Sequence, residues 1–182
     1  GGPEGNTTHF PITGAGVPTC VKLFVEGGAV LAVVGTDRGT LHLFCCGPAA
    51  DKPLLTHGTR KEIPPVPENG LVLQWDIPGD FVSGSLAVTG IQCLHEFIVA
   101  VSCRNGSILH YNILQRRGKP VILLSTVKTG FQTIDSLCAV GNFACVACHG
   151  WEPKVSAWKV SSVVSKSTCP YTVGLPRSEY VT

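Results

Sequence analysis

The sequence predicts an all-β protein made of three repeats of a four-stranded antiparallel unit. One observation behind this prediction is the composition of the 182 residues, of which 44% are hydrophobic and only 14% charged, with 21 Gly and 13 Pro. Such a chain buries much apolar surface and turns often. The other observation is a hairpin pattern that occurs three times, while helix-forming stretches are nearly absent.

Each hairpin consists of an apolar run, a polar or glycine turn and an alternating run that ends in an aromatic residue. The hairpins span residues 31–44, 98–111 and 143–158, and the third has two extra residues in its turn. The shared aromatic position is held by Phe44, Tyr111 and Trp158. Glycine and asparagine tolerate the positive φ of a tight turn, so Gly39 and Asn105-Gly106 indicate turns between paired strands.

Further apolar segments on both sides complete each unit to four strands. The predicted units span residues 19–77, 86–127 and 131–175. Residues 1–18 form an N-terminal extension in this interpretation, and residues 176–182 a C-terminal tail. Residues 47–70 contain five prolines, which cannot donate the hydrogen bonds of a sheet, so we predict an exposed insertion there.

The last strand of each hairpin resembles the closing strand of the WD-repeat family, Gly-Thr-apolar-x-apolar-Trp-Asp. Residues 39–45 read Gly-Thr-Leu-His-Leu-Phe-Cys, residues 106–112 read Gly-Ser-Ile-Leu-His-Tyr-Asn, and residues 155–159 match the end. The resemblance covers residues 19–175 and implies propeller blades. Three blades are fewer than the four to eight of a closed ring. We therefore expect part of a larger ring, with the remaining blades supplied by a parent chain or another subunit.

The same resemblance implies a non-catalytic scaffold that presents its loops to protein partners within a complex. If the units stack as blades, their turns gather at one rim, and Trp and Arg are frequent interface anchors. The residues that we expect to contact partners are Asp37, Arg38, Arg104, Asn105, Trp151 and Glu152. The net charge of +2 is too small to imply nucleic acid. No apolar stretch approaches the roughly 20 residues of a membrane helix, so we expect no membrane partner.

Nine cysteines raise the question of the redox compartment. The number is odd, two of them are adjacent at Cys45 and Cys46, and most others lie in apolar strand-like runs. Buried free cysteine behaves as a small hydrophobic residue, so we predict reduced thiols in the cytoplasm or nucleus. The chain contains no Met, and we expect it to be a segment or a processed product of a larger protein.

One motif suggests a cofactor. Cys145, Cys148 and His149 have the Cys-x-x-Cys-His spacing of c-type haem attachment, and the two thiols could also form half of a zinc site. The segment already has a role as a strand of the third hairpin, where residues three apart lie on opposite faces. We therefore expect neither a metal nor another cofactor, and keep a Cys/His haem or metal protein as an alternative.

The other alternative is a small all-β enzyme similar to chymotrypsin-like proteases. Cys103 or Ser107 would be its nucleophile, and His95 or His110 its general base. No glycine-rich stretch of the kind that builds an oxyanion hole accompanies them. We expect His42 and His110 to be half-exposed strand residues, and we predict no catalytic residues.

Overall fold

All regular structure in the described part of the computed structural model is β-strand. The described residues are 9–12, 16–26, 29–46, 69–79, 84–95, 98–113, 121–130, 132–140, 144–149, 154–159 and 171–174. Over these ranges there is no helix, and hence none that is long and apolar enough to cross a membrane. The insertion predicted at 47–70 lies outside the described residues, except that a strand begins at Asn69.

In these described residues, twelve strands form three four-stranded antiparallel sheets, each with its strands in chain order. Sheet 1 contains β1 (Pro18–Glu26), β2 (Ala29–Thr36), β3 (Thr40–Cys46) and β4 (Asn69–Asp76). Sheet 2 contains β5 (Val88–His95), β6 (Ile98–Cys103), β7 (Ser107–Asn112) and β8 (Ile122–Lys128). Sheet 3 contains β9 (Ser136–Val140), β10 (Ala144–His149), β11 (Lys154–Lys159) and β12 (Tyr171–Gly174). The prediction of an all-β fold with antiparallel sheets is confirmed.

The two hydrophobic cores lie on opposite faces of sheet 2. Val99 and Val101 of β6 belong to the core shared with sheet 1, whereas Ala100 between them belongs to the core shared with sheet 3. Alternate residues of a strand lie on opposite faces, so a sheet covered on both sides has no polar face. This arrangement explains why β6 and β7 read as apolar runs, with nearly every residue buried.

Sheets 1 and 2 repeat the same backbone design at their β2–β3 and β6–β7 turns. Gly39 has a φ of 78° and Gly106 a φ of 76°, a region that favours glycine. The carbonyl of Gly39 accepts the N–H of Ile77 at 2.9 Å, and that of Gly106 accepts the N–H of Thr129 at 3.1 Å. In both sheets the register between the third and fourth strands also shifts just before the aromatic residue.

The strand register corrects the predicted alignment of the third hairpin. The directly opposed residues are Ala32 and Phe44 in sheet 1, Val99 and Tyr111 in sheet 2, and Cys145 and Trp158 in sheet 3. These partners are 12, 12 and 13 residues apart, so the third turn has one extra residue, and the predicted two are wrong. Cys145, and not Ala144, is therefore the equivalent of Ala32.

Candidate functional site

The β2–β3 and β6–β7 turns lie at the same end of their sheets, against the segment that connects sheet 1 to sheet 2. A Cβ placed on Gly39 would be 2.9 Å from Cβ of Leu86, which shows how closely the first turn approaches this segment. In the second turn, the N–H groups of Arg104 and Asn105 donate to the carbonyls of Ala87 and Ser85, both at 2.9 Å. We call the surface formed by Asp37, Arg38, Arg104 and Asn105 the turn rim.

The four residues of the turn rim divide into two kinds. Asp37 and Asn105 are half-buried, and their side chains stabilise the loops. Oδ1 of Asp37 accepts the N–H of Val17 at 2.8 Å, and Oδ1 of Asn105 accepts the N–H of Ser107 at 3.0 Å. Arg38 and Arg104 are exposed. The carboxylate and the amide thus hold the backbone in place, and the two guanidinium groups face the solvent.

Two charged residues beside the turns were not among those predicted from the sequence. Oγ1 of Thr40 donates to Oδ1 of Asp76 at 2.7 Å, and Nζ of Lys128 donates to Oγ of Ser107 at 2.6 Å. Thr40 and Ser107 hold equivalent positions, so the fourth strands end in an anion in sheet 1 and a cation in sheet 2. The sequence does show a charged residue at the end of each fourth strand. That this residue lies beside the turn becomes clear only from the register between the third and fourth strands.

The third predicted turn cannot be placed beside the other two, because Trp151 and Glu152 lie outside the described residues.

The Cys-x-x-Cys-His motif forms regular strand. In β10, Cys145 pairs with Ala139 and Trp158, and Cys148 with Ser136 and Val155. Three positions apart in unbroken register, Cys145 and Cys148 belong to opposite faces of sheet 3. The strand role predicted for this segment is confirmed. Within the described part of the chain, no group of three or more His, Cys, Asp or Glu residues is arranged to hold a metal.

The nucleophiles considered for an enzyme lie on a different face of sheet 2 from His110, one of the two bases considered. Cys103 belongs to the core shared with sheet 1, and Ser107 shares its face of β7 with Leu109 of that core. His110 is three positions from Ser107 and therefore on the other face. Burial raises the pKa of the Cys103 thiol to about 12, which disfavours the thiolate. The other base considered, His95, ends β5. The structure therefore does not bring His110 to Cys103 or Ser107.

His42 and His110 are buried, and the prediction that these two residues are half-exposed is wrong. His42 is 2% exposed and His110 is 0% exposed. A hydrogen bond of 2.9 Å joins Nδ1 of His110 to Oγ of Ser125, while Nε2 of His110 has no hydrogen-bond partner. Burial lowers the pKa of His110 to about 4, so its imidazole is neutral at pH 7. Strands that are buried on both faces, such as β3 and β7, have polar residues inside as well.

Comparison with known proteins adds no family. No family model matches the chain, and no curated protein matches it. Among solved structures, it is similar to the crystal structure of the computationally designed Ika8 protein, with 13% identity and a TM-score of 0.31. The match covers 79% of this chain and 58% of the designed one, so the chain spans little more than half of that protein. A likeness this low carries no argument about fold or function.

Proposed function

We propose that the chain is a non-catalytic scaffold for protein–protein interaction, with its sheets arranged as blades of a partial propeller similar to WD-repeat proteins. The observation that carries the proposal is the turn rim. Equivalent turns of neighbouring sheets are bonded to one connecting segment and expose one arginine each. A rigid backbone with exposed arginines suits recognition, because binding restricts few side chains besides the arginines themselves.

Contacts between the first strands support the blade arrangement. Oγ1 of Thr19 in β1 donates to the carbonyl of Val88 in β5 at 2.6 Å. Nε2 of Gln92 in β5 donates to the carbonyl of Leu137 in β9 at 2.8 Å. The first strands of the three sheets thus contact one another in succession. Propeller blades are four-stranded sheets set around a common axis, and such a succession is what their inner strands require.

The charge of the turn rim favours an acidic protein surface as the partner. Arg38 and Arg104 are exposed, and the Lys128 ammonium lies beside the second turn. Guanidinium groups form paired hydrogen bonds with carboxylates, which gives both orientation and attraction. Asp37 and Asp76 limit the positive charge on the sheet 1 side. The proposed contact is therefore centred on Arg104 and extends towards Arg38.

We further propose a reducing compartment, the cytoplasm or the nucleus. Cys103 supports this proposal, because it is a free thiol enclosed between sheets 1 and 2. A thiol in that position contributes packing like a small aliphatic residue.

The test is affinity capture from cell extract with the immobilised chain, read by quantitative mass spectrometry. The R38Q/R104Q variant removes both rim charges and is expected to lose at least three quarters of the specifically retained protein. The control Q74E/T126E lowers the net charge by the same amount at exposed positions in β4 and β8, and should retain it.

Equal capture by the wild type and R38Q/R104Q would show that the turn rim is not the contact surface. Equal loss of captured protein in R38Q/R104Q and Q74E/T126E would mean that the net charge, and not the turn rim, determines capture. Turnover of a substrate by the purified chain would overturn the non-catalytic part of the proposal.

A further inference from the structure

β1 carries a stripe of exposed aliphatic side chains. Val21, Leu23 and Val25 are 61%, 61% and 68% exposed and alternate along the strand, so they share one face. On the other face of β1, Cys20 and Phe24 pack against the core between sheets 1 and 2. The stripe therefore lies on the face of sheet 1 that is turned away from sheet 2. We call these three residues the β1 stripe.

The equivalent face of sheet 2 is covered, and what covers it is sheet 1. Val21 pairs with Val34, and Ile91 pairs with Val101 at the same register position of sheet 2. Ile91 is only 4% exposed because β1 packs against β5. The same position is thus buried in one sheet and exposed in the other. The structure itself shows that this face accepts the first strand of another sheet.

An aromatic side chain already covers this face at Phe44, and the equivalent Tyr111 of sheet 2 also has an aromatic contact. Trp75 contacts Tyr111 edge-on, with ring centroids 5.8 Å apart. Phe10 contacts Phe44, the equivalent of Tyr111, with centroids 5.1 Å apart and the rings tilted by 38°. The β1 stripe is the exposed part of this face that has no counterpart in sheet 2, since Leu71 of β4, 46% exposed, matches Leu123, which is 40% exposed even in the covered sheet 2.

In β9, the first strand of sheet 3, the position equivalent to the one through which β5 contacts β9 is exposed. Leu137 and Ala139 of β9 pack towards sheet 2, while Cys138 between them is exposed. In register, Cys138 is opposite Val146, as Gln92 is opposite Ala100 in sheet 2. Gln92 is the residue through which β5 contacts β9. Cys138 thus lies where sheet 3 would contact the first strand of a following sheet.

We infer that a second copy of this chain docks its β9 on the β1 stripe, and that two copies close on each other through two such contacts. The inference rests on the blade arrangement proposed above. A two-fold axis exchanges the two ends, so one contact implies the other. Two copies bring six sheets, which lies within the four to eight of closed propellers. Each uncovered end is then packed as the two interior interfaces already are.

Sedimentation equilibrium of the 182-residue chain tests this pairing. The wild type is expected at twice 19.2 kDa and the L23D variant at 19.2 kDa. Leu23 is exposed in the single chain, so L23D should keep its far-ultraviolet circular dichroism. The matched control is L123D, an exposed leucine on β8, which should keep the doubled mass.

A second variant tests the direction of docking. C138D alters β9 and should also halve the mass. A mixture of L23D and C138D retains one intact contact, between β9 of the first variant and β1 of the second, and should recover part of the doubled mass. This recovery would also show that both variants are folded.

Four results would overturn the pairing: a wild type at 19.2 kDa up to 100 μM, an unchanged mass for L23D, the doubled mass retained by C138D, or a ladder of longer oligomers. The two proposals fail separately. R38Q/R104Q should keep the doubled mass, so loss of capture in that variant concerns the turn rim alone. A monomeric wild type that still captures protein through its arginines would reject only the pairing.

Discussion

His110 is a polar side chain enclosed between sheets 2 and 3, where sheet 1 has Leu43 at the equivalent position. Its hydrogen bond to Ser125 satisfies one ring nitrogen, and the second has no partner. A buried imidazole stays neutral because protonation would leave a charge without solvent. His42 has the same direction of pKa shift, again mainly from burial. Acid is therefore expected to destabilise the folded chain through protonation of His42 and His110.

We predict that stability falls as the pH is lowered from about 6.5 to about 4. In that window the unfolded His110 binds a proton and the folded one, with a pKa of about 4, does not. The loss for His110 alone is about 3 kcal/mol of unfolding free energy, from the size of the shift. Urea unfolding at several pH values should show a weaker pH dependence in H110Q, which has no titrating ring.

The exposed His9 supplies the control, since H9Q should keep the pH dependence of the wild type. A pH profile of H110Q that coincides with the wild type would contradict this role of His110.

At the level of residues, the sequence was informative about turns and misleading about strands. The turn glycines predicted that Arg38 and Arg104 lie in tight turns, because glycine is the residue that most readily adopts a positive φ. Both arginines are exposed there. The burial of His42 and His110 could not be read from alternation. In a strand buried on both faces, alternation no longer separates inside from outside. The pairing of Lys128 with Ser107 needs the register of β8, which the sequence does not specify.

The β2–β3 turn contributes more than a reversal of the chain, because Gly39 lies directly against Leu86 of the connecting segment. A Cβ at Gly39 would be 3.0 Å from the Leu86 carbonyl oxygen, a backbone atom that moves only with the connecting segment. The turn and the connection between sheets 1 and 2 are therefore one packed unit. Substitutions at this position act on the sheet interface as well as on the turn.

We predict that G39A is clearly more destabilising than G130A. Both glycines have a φ near 80°, so alanine brings the same backbone strain of about 1 kcal/mol to each. Gly130 has open space around it, whereas G39A must also displace Leu86, for a total of about 3 kcal/mol. Chemical denaturation of the two variants beside the wild type measures the difference. Equal losses would mean that the turn moves away from Leu86 at no cost.

The elements themselves were largely predictable, because most strands of sheets 1 and 2 coincide with apolar runs bounded by Gly, Asn or Pro. Between β5 and β6 the sequence has Glu96 and Phe97 instead. The error in the third hairpin has a simple origin. The predicted hairpin begins at the apolar Phe143, in line with Leu31 and Ile98, because apolar residues at the start of the three runs look alike in the sequence. Hydrogen bonding decides the register, and Cys145 opposite Trp158 moves the hairpin by one residue.

Within the described residues, sheet 2 is the part of the molecule covered on both faces. Its β6 and β7 are buried along nearly their whole length, whereas β1 exposes its stripe. Local opening costs more where packing is lost on two sides. The order of the sheets in the stack follows chain order, as short connections require. The sequence predicted the three units, but the residues that cover each face come from distant parts of the chain.

We predict that the amides of Ile98–Cys103 and Ser107–Asn112 exchange hydrogen at least tenfold more slowly than those of Pro18–Glu26. Hydrogen exchange with mass spectrometry, performed on L23D to remove the proposed pairing, measures this order. Comparable protection of all three segments would mean that the sheets open together. Slower exchange of Pro18–Glu26 in the wild type than in L23D would show that the proposed second copy protects the β1 stripe.

The repeated turns of sheets 1 and 2 have a consequence for how such a protein can evolve. Their shared hydrogen bonds, from Gly39 N–H to Thr36 and from Gly106 N–H to Cys103, join backbone atoms that every residue except proline possesses. The side chains around them can therefore differ between the two sheets, and Asp76 and Lys128 hold matched positions with opposite charge. A duplicated sheet can keep its shape while its surface takes on a new chemistry.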